Sequence, residues 1–199
     1  MRRGRPLPRR FYARDSLEVA PELLNKVLVH DDPVAGRVAV RIVEVEAYRG
    51  SEDPGSHAFR GMTKRNATMF GPPGHLYVYF TYGMHWCANV VTGRVGVAHA
   101  VLLRAGEPLA GIDVMWARRP AARRDRDLAS GPARLAQALA ITGAEDGTDV
   151  VRGPLRILDD GTPPPEAPHW SPRIGLSAGR GDRHPWRCTV PGNPHVSRR

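Results

Sequence analysis

Two glutamates and a tyrosine stand two residues apart in Glu44-Val45-Glu46-Ala47-Tyr48. On an extended strand that spacing puts Ile42, Glu44, Glu46 and Tyr48 on one face and Val43, Val45 and Ala47 on the other. Two carboxylates beside a ring can do acid–base work on water. Together with Glu52, Asp53 and His57 they could instead gather a hard divalent ion for metal-dependent hydrolysis. A second run, Leu76-Tyr77-Val78-Tyr79 followed by Tyr82, offers ring faces on which bases stack. Covalent chemistry through an amine has few candidates, because Lys26 and Lys64 are the only lysines. Cys87 and Cys188 are too few for a four-cysteine zinc ribbon or iron–sulfur cluster and give no disulfide framework. No metal and no cofactor are expected, and a reduced, cytoplasmic protein fits.

The charge balance points to the partner. Lys and Arg number 29 against 20 Asp and Glu, giving a formal charge of +9 and a pI near 10.5. A polyanion is the natural counterpart, nucleic acid first. Arg65, Arg134 and the arginines between Arg118 and Arg126 are candidates for phosphate contact, as are Ser130 and Gly131 where a helix should begin. No run approaches the ~20 apolar residues of a membrane span, and no apolar signal core follows Met1-Arg2-Arg3, so no membrane partner is expected.

At 199 residues the chain suits one domain. Residues 1–10 read as a basic flexible tail, 11–191 as the folded domain and 192–199 as a C-terminal tail. Val19–Lys26 suggests a short helix opened by Pro21, running into a strand at Val27-Leu28-Val29. Gly and Pro density over 49–75 marks a long ordered loop. Leu76–Tyr82 and Met84–Thr92 form the arms of a hairpin with Tyr82 near its tip. Ala98–Arg104 reads as a strand and Leu109–Ala117 as a helix. A further helix opens at Ser130-Gly131-Pro132, turns Leu135, Leu139 and Ile141 inward, and stops at Gly143. In the Pro- and Gly-rich 145–171 region, Arg156-Ile157-Leu158 is the clearest strand. The fold expected is α+β: a mixed, largely antiparallel sheet with a protruding β-hairpin and surrounding helices.

These residues also carry a resemblance. Glu44-Val45-Glu46-Ala47-Tyr48, His57, Arg65-Asn66, Met69-Phe70, Leu76-Tyr77-Val78-Tyr79, Tyr82-Gly83-Met84, Asn89, Leu102-Leu103-Arg104-Ala105 with Glu107-Pro108-Leu109, and Ser130-Gly131-Pro132 with Gln137-Ala138-Leu139 resemble, in order and spacing, the alkyladenine (3-methyladenine) DNA glycosylase family. The likeness runs from about Phe11 to the last strand region. It implies a monomer acting on double-stranded DNA that flips out alkylated or deaminated purines and hydrolyses their N-glycosidic bond, leaving the backbone intact. Glu46 falls on the family's general-base position. Tyr48, His57 and Tyr79 would wall the base pocket, whose electron-rich faces suit cationic alkylpurines. Asn89 would form its floor and Arg104 its edge. Tyr82 would fill the vacated stack, buttressed by Met84, with Met69 pressing on the neighbouring pair. His85-Trp86 and Lys64 depart from the family pattern, where other aromatics and a proline are expected. The two alternatives are the metal-dependent nuclease already outlined and a nucleic-acid binding module without chemistry.

Overall fold

The computed structural model describes residues 4–81 and 83–197. These form β1 (Arg5–Pro6), α1 (Arg9–Tyr12), α2 (Ser16–Leu23), β2 (Val27–Asp32), β3 (Gly36–Arg49), β4 (Leu76–Thr81), β5 (His85–Thr92), β6 (His99–Ala110), α3 (Ile112–Arg118), α4 (Pro132–Ala138), β7 (Leu155–Asp159), β8 (His169–Ser171) and β9 (Arg187–Thr189). The class is α+β. The strands make one sheet in the order β1-β7-β2-β3-β6-β5-β4, with β9 joining β3 and β8 joining β9, and the pairings among described residues are antiparallel. No described helix is long and apolar enough to cross a membrane.

Adjacent rows across the sheet have opposite character, which follows from the two-residue period of each strand. Leu76, Val90, Val101 and Ala47 lie opposite one another on β4, β5, β6 and β3, and all four are buried in the main core. On that face the apolar sides of α2 (Val19, Ala20, Leu23) and α4 (Leu135, Ala136, Ala138) close the core. Each fully buried leucine contributes about 1.5–3 kcal/mol. One residue further along every strand, Tyr77, Asn89, Leu102 and Glu46 form the next row and face the other way, continued by Arg187 on β9 and Ser171 on β8.

A bulge decides where β3 aims its glutamates. Pairing with β6 steps from Ile42 opposite Gly106 to Glu44 opposite Ala105 and then to Val45 opposite Leu103, so each strand absorbs an extra residue, Val43 and Arg104. Val38, Val40 and Ile42 point into the main core, and so do Val45 and Ala47. Unbroken alternation would have carried Glu44 and Glu46 into that core. The expectation that Ile42 shares their face is therefore corrected by the bulge, a device common beside active sites. The free edge of β3 also changes partner here, from β2 as far as Arg41 to β9 from Glu44 onward.

Several boundaries differ from the sequence reading. α2 begins at Ser16, because the Asp15 side chain accepts the Leu17 amide at 2.8 Å and caps it; Pro21 lies inside the helix instead of opening it. β6 extends to Ala110, and α3 starts only after Gly111, whose φ of 66° turns the chain. α4 ends at Ala138, with Ala140 at φ 52°, ahead of Gly143. The opening segment is not loose where described: Arg5 and Pro6 pair with Asp159 and Leu158 on β7. Near the other end, Ser197 is buried against Glu44. The hairpin of β4 and β5 forms as expected.

Candidate active site

The polar row opens onto a cavity of about 320 Å³. Tyr48, His57, Tyr79, Asn89 and Arg104 all line it, so five separate stretches of sequence converge as expected. His57 meets Tyr79 edge-to-face with centroids 4.5 Å apart, and Tyr79 stacks on Tyr77 at 5.6 Å. His57 Nδ1 bonds the Tyr77 hydroxyl at 3.0 Å. Burial, helped by the nearby positive Arg65, pushes the His57 pKa down, so the ring is neutral near pH 7. Asn89 donates to the Tyr77 carbonyl at 3.3 Å across the β4–β5 pair.

Glu46 is fully buried immediately behind the cavity wall, and three of the groups that hold it line that wall. The Tyr48 hydroxyl donates to its Oε2 at 2.9 Å, the Ile174 amide donates to its Oε1 at 2.7 Å, and Arg104 Nη1 lies 3.3 Å from Oε1. Burial raises its pKa above the ordinary carboxylate range, and the arginine and two donors only partly offset this. Glu44, two residues away, is treated in the opposite way. Burial raises its pKa too, but Arg104, Arg187 and the Ser197 amide outweigh it, and the net shift is downward. Arg104 Nε and Arg187 Nε reach Glu44 Oε1 at 3.0 and 2.6 Å; Ser197 donates from Oγ to Oε1 at 2.9 Å and from its amide to Oε2 at 2.7 Å. Two carboxyls two residues apart thus have pKa values driven in opposite directions, Glu44 downward by its arginines and the Ser197 amide and Glu46 upward by burial.

Two of the acids named for a metal site are engaged elsewhere. Asp53 is fully buried against Arg173, and Glu52 pairs with Arg49 on the surface. Among the described residues no group of three or more His, Cys, Asp or Glu converges.

Other expected residues divide. Met84 is 66 % exposed in the β4–β5 connection, whereas Tyr82 lies outside the described residues. Met69 must be corrected: it is only 3 % exposed, packed with Ala58 and Tyr77 at the cavity wall, and is no exposed wedge. Arg65 donates to the Phe80 carbonyl at 3.0 Å and does not share a cavity with the other arginines proposed for phosphate contact. Ser130, Gly131 and Arg134 line a second, more polar cavity of about 420 Å³ with Arg124 and Arg126; it shares Arg104, Pro132 and Ala133 with the first. Ser130 does not cap α4, since Gly131 occupies the cap position and Pro132 the first turn.

A family model described as methylpurine-DNA glycosylase (MPG) matches residues 10–194. The chain belongs to the methylpurine-DNA glycosylase family. A relative in Burkholderia cenocepacia, named "Putative 3-methyladenine DNA glycosylase", is 56 % identical over 196 residues, covering 98 % of this chain and 92 % of its own length. Relatives of the same name in Streptomyces avermitilis (55 % over 196 residues, 96 % of this chain, 91 % of theirs) and Methanocella arvoryzae (50 % over 194 residues, 97 % and 96 %) agree.

Sequence reasoning missed Arg173, Arg187 and Ser197, and noted Tyr77 only as part of the Tyr-rich strand. Tyr77 was legible, since it shares the strand face of Tyr79. Arg187 and Ser197 lie on a three-residue strand and beyond it, where no periodicity announces a role.

Proposed function

We propose that this methylpurine-DNA glycosylase family member is a monofunctional DNA glycosylase that starts base excision repair by hydrolysing the N-glycosidic bond of alkylated or deaminated purines. The observation that carries the reading is the pair of oppositely tuned carboxyls behind an aromatic cavity. In the proposed mechanism a damaged purine turned out of double-stranded DNA enters between Tyr48, His57 and Tyr79, whose ring faces attract a cationic alkylpurine by about 0.5–2 kcal/mol. Asn89 crowds the exocyclic amine of normal guanine. As the sugar gains oxocarbenium character, Glu46 takes the proton of the attacking water and its negative charge offsets the developing cation. Arg104, held by Glu44, orients Glu46 from the pocket edge. Tyr82, with exposed Met84 beside it in sequence, fills the vacated stack. Arg134, Ser130 and Gly131 line a cavity suited to the neighbouring phosphates, and the protein acts as a monomer.

The test is to incubate duplexes carrying 3-methyladenine, 7-methylguanine, hypoxanthine or ethenoadenine with the protein in EDTA. Alkali-labile abasic sites are expected from wild type, with Glu46→Gln slower by about 10²–10⁴-fold while still binding the lesion. Activity that vanishes in EDTA would favour the metal-dependent reading. Tight binding with no base released by wild type would leave only a binding module.

A further inference from the structure

The structure assigns Arg173 and Asp53 a positioning role: together they set the two hydrogen-bond donors that hold the carboxylate of Glu46. This rests on the glycosylase reading above. The Arg173 side chain is fully buried and meets Asp53 in a two-pronged pair, Nη1 to Oδ2 at 2.5 Å and Nη2 to Oδ1 at 2.7 Å. Nη1 also donates to the Ala47 carbonyl at 2.9 Å, in the strand between Glu46 and Tyr48. The guanidinium carbon lies 4.4 Å from the centre of the Tyr48 ring and 5.0 Å from that of Trp186. One planar cation therefore seats the ring whose hydroxyl donates to Glu46 Oε2. The next residue in the chain, Ile174, supplies the amide that donates to Oε1. Fixing Arg173 fixes both donors at once.

The space around the pair is tailored to it. A Cβ on Gly55 would come within 2.8 Å of Arg173 Nη2, and one on Gly181 within 2.6 Å. Asp53 also accepts the Arg49 and Gly55 amides at 3.3 and 2.9 Å, which ties the start of the 49–75 loop to the same point. A lysine could keep the charge but not the two-pronged pair with Asp53 or the guanidinium placed over Tyr48. Support of this kind, one step removed from the reacting atoms, is what holds a catalytic group in productive geometry.

The consequence is read in the pH dependence. Glu46 is faced by Glu44 and Tyr48 on β3, Arg104 on β6, Arg187 opposite it on β9, and the side chains of Tyr79 on β4 and Cys87 on β5. The Ile174 and Tyr48 donors both favour its ionised form. Loosening them raises its pKa further, so a larger share of enzyme carries a protonated, inactive Glu46 at mildly acid pH.

Arg173→Lys and Asp53→Asn are the test, with single-turnover excision from a duplex carrying whichever of the four lesions above wild type removes fastest, measured from pH 5 to 9 beside wild type. Expected is an acid limb moved to higher pH by about one unit. The rate below the limb then falls about tenfold and largely recovers at alkaline pH, while lesion affinity changes little. A rate lowered by the same factor at every pH, an unmoved limb in both folded variants, or loss of the fold in both by circular dichroism each overturns the proposal. If wild type itself releases no base, it is the glycosylase reading that has failed, not the positioning role.

Discussion

Glu44 and Glu46 differ by nothing in side-chain chemistry and two residues in position, yet the fold assigns them opposite charge preferences. Glu44 gains two arginines and two Ser197 donors; Glu46 gains one arginine at longer range and two neutral donors. Because the Glu44 pKa is lowered on folding, its contribution to stability is present above the ordinary carboxylate value near 4.3 and is lost as pH falls through the lowered value. Replacing it leaves buried Arg187 without its carboxylate partner and Arg104 with only the longer contact to Glu46. Glu44→Gln is expected to cost about 3–5 kcal/mol, seen as a lower midpoint in urea unfolding at pH 7. A variant as stable as wild type would remove Glu44 from its anchoring role. At this scale motif order was enough to pick Tyr48, His57, Tyr79, Asn89 and Arg104, which line one cavity, and Glu46, which is buried behind it. It was misleading for Met69, whose apolar side chain suits a cavity wall as well as a wedge.

The strands decide which residues meet, and here the two-residue period explained most but not all. It correctly separated Tyr77 and Tyr79 from Leu76 and Val78, and Glu46 from Val45 and Ala47. It failed between Ile42 and Glu44, because no composition signal distinguishes a bulged strand from a straight one. Nor could it find β1, β8 and β9, which are too short to show alternation. The same junction offers a test of packing. Gly106 lies opposite Ile42, and a Cβ there would sit 2.6 Å from the Val40 side chain. Gly106→Ala is expected to overpack this joint by about 1–3 kcal/mol, lowering the thermal midpoint by several degrees without altering the lesion preference. An unchanged midpoint would mean that β3 and β6 can separate there freely.

Across the whole molecule, charge and shape agree. The formal +9 charge was readable from composition, and Arg134 and the Arg118–Arg126 cluster stood out as phosphate candidates; what only the fold adds is that Arg124, Arg126 and Arg134 come together around a cavity adjoining the aromatic one. Duplex affinity should fall steeply with salt, and Arg126→Ala and Arg134→Ala should each reduce the slope of log affinity against log salt by about one. Fluorescence anisotropy on damaged and undamaged duplexes measures this, and an unaltered slope would take these arginines off the phosphates. The tie between Glu44 and Ser197, 153 positions apart, has a further consequence for how the protein comes into being. A ribosome delivers the strand bearing both glutamates long before it makes Arg173, Arg187 and Ser197. A half-made chain thus carries two adjacent acids with much of their counter-charge and donor set still to come. The surroundings of both acids are therefore complete only once the last residues of the described chain have been added.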